Sequence, residues 1–310
     1  MVSLASHAAM LGAGPEALFE VARIVAAEGR LPDPEITEAA RVAAPSLIEV
    51  SSEKIRSGIE SVIMGRSLDL GLQWMHDSGV LAAVLPELEA TVDFSQEAGR
   101  RHKDVWEHTK QVVRQSVPKP AVRWAALLHD IGKVPTRVML PDGRVTFHRH
   151  AEIGARMFDP IAKRLGFDRT GRQKVRFLIL HHLRANAYEC SWTDAAVRRF
   201  DHEMGESLEE LLDLSRADVT SQRPGRRQEA VANIHALKER IESIRELDAK
   251  IPPLPPGLGN AIMESFGIPP SRRVGDIRKI CQDAVERGEL EERRESDYYV
   301  EYLRKVGVTS

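Results

Sequence analysis

Apolar residues recur at helical spacing along nearly the whole chain. Leu18, Val21, Ala22 and Val25 form one stripe, and Ile55, Ile59, Val62 and Ile63 form the next. Leu70, Leu72, Met75, Val80, Leu81, Val84 and Leu85 continue the pattern up to Pro86. Asp33-Pro34-Glu35 reads as an N-cap followed by proline at the first helical position. Ser51-Ser52-Glu53 offers a cap to the next helix. Around residue 96 the composition turns rich in His and Arg, but the helical period persists, with Val105, His108, Val112 and Val113 on one face. Alternation is rare. The best hairpin candidate runs through Val138-Met139-Leu140, turns at Pro141-Asp142-Gly143, and returns through Arg144-Val145-Thr146-Phe147. The middle region is otherwise helical to about Asp218, and Ser221–Gly225 reads as a loop. A very polar helix follows from about Gln228 to Lys250, with Val231, Ile234, Leu237, Ile241 and Ile244 as its narrow apolar seam. Pro252–Gly257 reads as a stiff linker, and the remainder as a small helical cap. The pattern predicts an all-α protein with at most one short β-hairpin.

Composition changes this picture mainly by exclusion. The 310 residues carry 44 basic and 46 acidic side chains, a net charge of −2. That balance predicts no general affinity for nucleic acid or membrane. Local basic clusters remain at Arg100-Arg101-His102-Lys103, Arg198-Arg199, Arg223 to Arg227, and Arg272-Arg273. The two cysteines, Cys190 and Cys281, are far apart, which excludes a disulfide scaffold and a zinc ribbon and fits a reducing cytoplasm. No apolar run reaches the roughly 18 residues of a transmembrane helix, and Met1 to Pro15 lacks the pattern of a signal peptide.

The candidate chemistry lies between positions 102 and 182, which hold seven of the eleven histidines. Trp124 to Lys133 is an apolar run ending in His129-Asp130, then Gly132 and Lys133. A buried His-Asp pair must be satisfied, and a divalent cation satisfies both groups at once. Adjacent residues face inward together only at a helix end, and Gly132 is read as the residue supplying that end. His108, His129, Asp130 and Asp218 are the candidate metal ligands. Mixed imidazole and carboxylate ligation suits Mn, Fe, Co, Ni or Zn, with Mg where carboxylates and water dominate. His150, at a helix start, and His182, at the end of Phe177–Leu180, are candidates for a second metal or for a substrate phosphate, with element capping as the bland alternative. Lys133 either steadies a developing phosphoryl charge or is a solvated helix-terminal lysine. His102 is either a substrate contact or a surface residue, and His148 and His181 are weaker candidates.

These residues resemble the HD-domain metal-dependent phosphohydrolase superfamily, and more closely the HD domain of bacterial tRNA nucleotidyltransferases and poly(A) polymerases. His102 to Thr109 looks like that group's first motif, and Leu127 to Lys133 like its second. Thr146 to Ala155 looks like its third, Leu178 to Arg184 its fourth, and Arg216-Ala217-Asp218 its last ligand. Leu31 to Ile55 and then Gly79 to Leu88 resemble the group's helical neck, and Gly267 to Ile277 with Gly288-Glu289-Leu290 resemble its C-terminal tail. The resemblance implies a helical neck-like domain over residues 1–95, an HD domain over 96–225 and a C-terminal helical region over 226–310. It implies a cytoplasmic enzyme with one or two divalent ions, a metal-dependent phosphohydrolase (phosphodiesterase or phosphatase). Its expected substrates are nucleotides or RNA-terminal phosphoesters, including 2′,3′-cyclic phosphates, attacked by a metal-activated water. Lys133, His150 and His182 are the expected catalytic groups. Candidate partners are tRNA and a second copy of the chain, with no membrane. The paired strand-borne carboxylates of the polymerising head have no counterpart here, since Ser67-Leu68-Asp69-Leu70 sits within a helical stripe. The expectation is a headless relative. The alternative is a non-catalytic RNA- or tRNA-binding module derived from such an enzyme.

Overall fold

Helix α1 (Ala17–Glu28) buries the whole of its apolar stripe, Leu18, Val21, Ala22 and Val25. It ends at Gly29 in the left-handed conformation (φ 68°), which a glycine adopts without steric cost. Pro34 opens α2 (Pro34–Ala43), and Asp33 stands at the cap position without closing a side-chain bond there. The same holds for Ser51 before α3 (Ser52–Ile63). The stripe from Leu70 to Leu85 is cut into α4 (Leu68–Asp77) and α5 (Val80–Val84), because Gly79 turns left-handed at φ 74°. Pro86 then starts the one-turn α6 (Pro86–Glu89). Helices α1, α3 and α4 pack closely through glycine. A Cβ on Gly71 would lie 2.7 Å from the Ala26 Cβ and 2.9 Å from the Val62 Cγ1.

The structure is a computed structural model that describes residues 14–94, 104–221, 223–250 and 252–309. His102 and the cluster Arg100-Arg101-His102-Lys103 lie outside the described residues. By packing, the described residues form two compact units. One comprises those up to Ala187 together with Glu209–Val231, and the other comprises Tyr188–Leu208 with those from Ala232 onward.

In the first unit, α7 (Val105–Gln115) packs on α4 and on α8 (Pro120–Leu128). Arg123 on α8 is buried. Its guanidinium donates to the Ile63 carbonyl at the end of α3 and to the Ser116 carbonyl at the end of α7 (3.4 Å). A cation there satisfies carbonyls that helix ends leave unpaired. The one-turn α9 (Lys133–Thr136) leads into the hairpin of β1 (Val138–Met139) and β2 (Val145–Thr146), with Val138 opposite Thr146 and Met139 opposite Val145. Gly143, at φ 79°, makes its turn. Helix α10 (His150–Arg164) packs against α11 (Arg169–His181), and α11 against α8.

Helix α12 (Asp194–Met204) belongs to the second unit, whereas α13 (Leu208–Ala217) lies in the first from Glu209 onward. Helix α14 (Arg226–Lys250) contributes its residues through Val231 to the first unit. In the second unit α15 (Leu258–Phe266), α16 (Arg272–Glu286) and α17 (Ser296–Lys305) surround a core that includes Leu258, Cys281 and Tyr299. Two sequence readings change here. Pro252–Gly257 is not a free spacer: Leu254 is buried in that core, and the Pro253 carbonyl accepts from the Arg293 amide at 2.7 Å. Arg198 is not a surface cation either. It is buried and neutralised by Asp248, at 2.6 and 2.7 Å, and by Glu292. Among the described residues no helix is long and apolar enough to cross a membrane.

Candidate metal centre

Helix ends converge within the first unit. His129 caps the C-terminus of α8, and His182 caps the C-terminus of α11. His150 is the first residue of α10, and Asp218 directly follows α13. His108 comes from the apolar face of α7, whose Asp104 carboxylate caps the helix by accepting from the Glu107 amide (3.1 Å). Gln115, further along α7, donates to the Ala217 carbonyl at 2.6 Å and so ties the Asp218 segment to that helix. C-terminal helix ends carry partial negative charge, and three of these residues stand at such ends.

The side chains form two groups that meet at Asp130. His108, His129 and Asp218 make the first group, and Asp130, His150 and His182 the second. The His108 Nε2 lies 3.2 Å from the His129 Nε2 and 3.0 Å from the Asp218 Oδ1. The His150 and His182 Nε2 atoms are 3.3 Å apart. Asp130 turns Oδ2 toward the first group, 3.2 Å from His129 and 3.4 Å from His108, and Oδ1 toward His150 at 3.5 Å. Lys133 lies 2.6 Å from the Asp130 Oδ2. His129, Asp130 and His182 are buried; His108, His150 and Asp218 keep a small exposure. The structure thus brings together His108, His129, Asp130, Asp218, His150, His182 and Lys133. It leaves His148 exposed and places His181 against Phe177.

Backbone carbonyls orient three of the four imidazoles identically. The Nδ1 atoms of His129, His150 and His182 lie 2.8, 2.9 and 2.7 Å from the carbonyls of Ala126, Phe147 and Ile179, each three residues earlier. A carbonyl only accepts, so these Nδ1 atoms carry the hydrogen and the neutral rings present bare Nε2 lone pairs to the centre. Ala126 and Ile179 lie in last helical turns, where carbonyls have no helical amide to serve. Thr220, which the sequence reading did not single out, places its hydroxyl 3.0 Å from the His108 Nδ1. No spacing rule points to it; only the fold brings it beside residue 108.

Protonation in the metal-free protein follows from this crowding. Burial disfavours charge on His129, but the carboxylates of Asp130 and Asp218 outweigh it and push the imidazole up to about 10. Burial would raise Asp130 and Asp218. For Asp130 the charges of His129 and Lys133, and for Asp218 the hydrogen bonds with His108 and His129, hold them well below the usual carboxylate range instead. Burial lowers His150, and it lowers His182 to about 4 with the charge on His129 adding to the effect. Converging lone pairs and carboxylates with one compensating proton match the donor set of a divalent cation.

Gly132 works differently from the helix terminator expected of it. Its φ is −67°, so no left-handed conformation is required. A Cβ there would lie 2.1 Å from the His150 carbonyl oxygen and 2.6 Å from the Gly154 amide nitrogen. Only glycine lets the segment after His129-Asp130 lie against the first turn of α10.

Residues 93–223 match the family model of the HD domain, so the expected likeness is found over the segment that holds every centre residue. The chain is similar to an A-adding tRNA nucleotidyltransferase of Deinococcus radiodurans, 28% identical over 304 residues, covering 94% of this chain and 68% of that protein. It is also similar to multifunctional CCA proteins. That of Pseudomonas paraeruginosa is 29% identical over 141 residues, 44% of this chain and 34% of the relative. That of Alkalilimnicola ehrlichii is 34% identical over 116 residues, 36% of this chain and 27% of the relative. The matches thus span about a third of the length of these CCA proteins, or less.

Proposed function

We propose that the chain is a metal-dependent phosphohydrolase acting on nucleotide or RNA-terminal phosphoesters, with 2′,3′-cyclic phosphates as the first candidates. The observation that carries this reading is the set of four imidazole Nε2 atoms gathered about the two oxygens of one buried carboxylate, Asp130. His108, His129 and Asp218 would hold one ion with Asp130. His150 and His182 would hold a second from its other oxygen. The burial of His182 favours an ion over a substrate phosphate there. When bound, a divalent ion lowers the pKa of water toward neutrality and polarises a phosphoryl oxygen. The chain's own residues supply position and charge. His108, Asp218 and Lys133 line a cavity of about 1220 Å³, so the ester approaches on the side of the first group. Lys133 keeps its ammonium beside Asp130 and presents positive charge where phosphoryl oxygens would gather. Hydrolysis of a cyclic ester forms one P–O bond from water and breaks one ring P–O bond, and the released ribose oxygen takes the proton that the water gives up.

The likeness to tRNA nucleotidyltransferases supports RNA as the source of the ester. Nucleotide addition by this polypeptide is not part of the proposal. Its described strands, Val138–Met139 and Val145–Thr146, carry no carboxylate to hold the paired ions of a polymerase. The test is metal analysis of the purified protein, then assays with 2′,3′-cyclic AMP and an aryl phosphodiester in Mn, Ni, Co and Mg. Metal-dependent release from at least one ester is expected. Inertness across every ester and metal would refute the reading.

A further inference from the structure

The cavity over the first group exceeds what a mononucleotide ester needs. Small-molecule sites run to roughly 300–1000 Å³, and this one measures about 1220 Å³. Its lining extends beyond the centre to three arginines, Arg114, Arg223 and Arg226. Arg114 is on α7, six residues past His108, which places it about 9 Å further along that helix. The acidic groups of the same wall are already engaged. Asp69 faces Arg114 at 3.7 Å, Glu107 pairs with Lys110 at 2.8 Å, and Asp104 caps α7. Arg223 and Arg226 are exposed and have no carboxylate partner among the described residues. They stand where α14 begins, so the positive end of the helix dipole adds to their charge. A guanidinium presents a fork that fits phosphate, and two unpaired forks on the wall of a cavity above a phosphoester centre call for a second phosphate.

We infer that the site takes phosphoesters carrying a second, non-reacting phosphate, held by Arg223 and Arg226, so that a dinucleotide or longer RNA end is preferred over a mononucleotide. The inference rests on the phosphohydrolase reading and assigns its substrate class. The neighbouring phosphate can come from an internucleotide linkage or from a terminal phosphate on the same nucleoside, and the substrates below separate the two.

The experiment uses the full chain loaded with Mn and three esters: adenosine 2′,3′-cyclic phosphate, the same compound with a 5′-phosphate, and a diadenosine ending in the same cyclic phosphate. The parent is compared with the double variant Arg223→Gln, Arg226→Gln, and with Arg227→Gln, which removes an exposed charge outside the cavity lining. In the parent, kcat/KM for the diadenosine should exceed that for the mononucleotide about tenfold or more. The double variant should bring that ratio to within about twofold of unity, and Arg227→Gln should keep it. A gain from the 5′-phosphate alone assigns the subsite to a terminal phosphate; a gain confined to the diadenosine assigns it to the internucleotide one. A parent that gains from neither added phosphate, or a gain untouched by the double variant, overturns the inference. Binding is measured separately, as fluorescence anisotropy of a labelled dinucleotide ending in a 3′-phosphate. If no ester turns over, the phosphohydrolase reading fails by itself, and the anisotropy still decides the arginines' role. Loss of dinucleotide affinity in the double variant alone supports it, and equal affinity in all three proteins ends it.

Discussion

Replacing Gly132 with alanine tests how the backbone holds the two ligand groups together. The residue's φ of −67° and ψ of −14° are open to alanine, so the substitution brings no backbone strain of its own. What it brings is a methyl group 2.1 Å from the His150 carbonyl oxygen, 2.6 Å from the Gly154 nitrogen and 3.0 Å from the His150 carbonyl carbon. All three are backbone atoms at the start of α10, and none can rotate away. Either α10 retreats by nearly an ångström or the His129–Lys133 segment does. Each movement lengthens the 3.5 Å approach of His150 to Asp130, and the first also disturbs the 3.3 Å approach to His182. Overpacking of this kind costs about 1–3 kcal/mol. For a unit of this size that corresponds to a fall in melting temperature of roughly 3–10 °C. The contrast is Gly143→Ala, where a Cβ meets open space and only the φ of 79° resists. Thermal scans of both metal-free variants should place Gly132→Ala clearly lower. Metal titration followed by mass-spectrometric counting should show its second ion weakened more than its first. A Gly132→Ala protein with the parent's melting temperature and the parent's ion stoichiometry would show that the close approach does not hold the centre.

Two further outcomes follow from the centre. Asp130→Ala should lose metal and activity together because its oxygens serve both groups, whereas His182→Ala should keep the first ion and slow hydrolysis; full metal content and full turnover in Asp130→Ala would overturn the ligand assignment. Metal uptake at pH 8 should release about one proton from His129, whose folded value of about 10 leaves it charged there, so apparent affinity should rise by up to about tenfold per pH unit from pH 7 to 9. Calorimetry in buffers of different ionisation enthalpy reads that proton directly, and a release of none would contradict the protonation argued for the metal-free centre. The sign of the stability effect is separate. The raised His129 contributes stability below its ordinary 6.5 that is lost as pH climbs through about 10, and the lowered His182 contributes stability above 6.5 that is lost as pH falls toward about 4.

Helical period carried most of the fold because it reports burial, and burial is what the helices share. It reached Leu18 to Val25 and Ile234 to Ile244 without error, since each stripe is the inward face of one helix. It failed where a stripe continues through a change of direction. The stripe from Leu70 to Leu85 runs on without a marked break, and only the left-handed Gly79 divides it. The centre was legible as residue types at helix ends: His129, His150, His182 and Asp218 stand beside signals that end or begin helices. The roles of Gly132, Thr220 and Arg198 were not legible. Gly132 is required by the α10 backbone, Thr220 faces a residue far back in the chain, and Arg198 is buried against Asp248 and Glu292. Each depends on long-range contact, and local sequence encodes none of it.

The centre shows why a His-Asp doublet belongs at a helix end. Within a helix, neighbouring side chains diverge by about 100° around the axis, so one of the pair would face away. At the end of α8 the chain leaves the helix, and both His129 and Asp130 turn inward. The same end frees the Ala126 carbonyl to accept from the His129 Nδ1–H, which points the Nε2 at the carboxylates. The end of α11 repeats the device with Ile179 and His182. Asp130 stands between these two ends with one oxygen for each group, so a shift of α8 against α11 would move both groups at once. The positions of the two candidate ligand groups are therefore set by the packing of two helices, and Gly132 is what allows α10 to close against them.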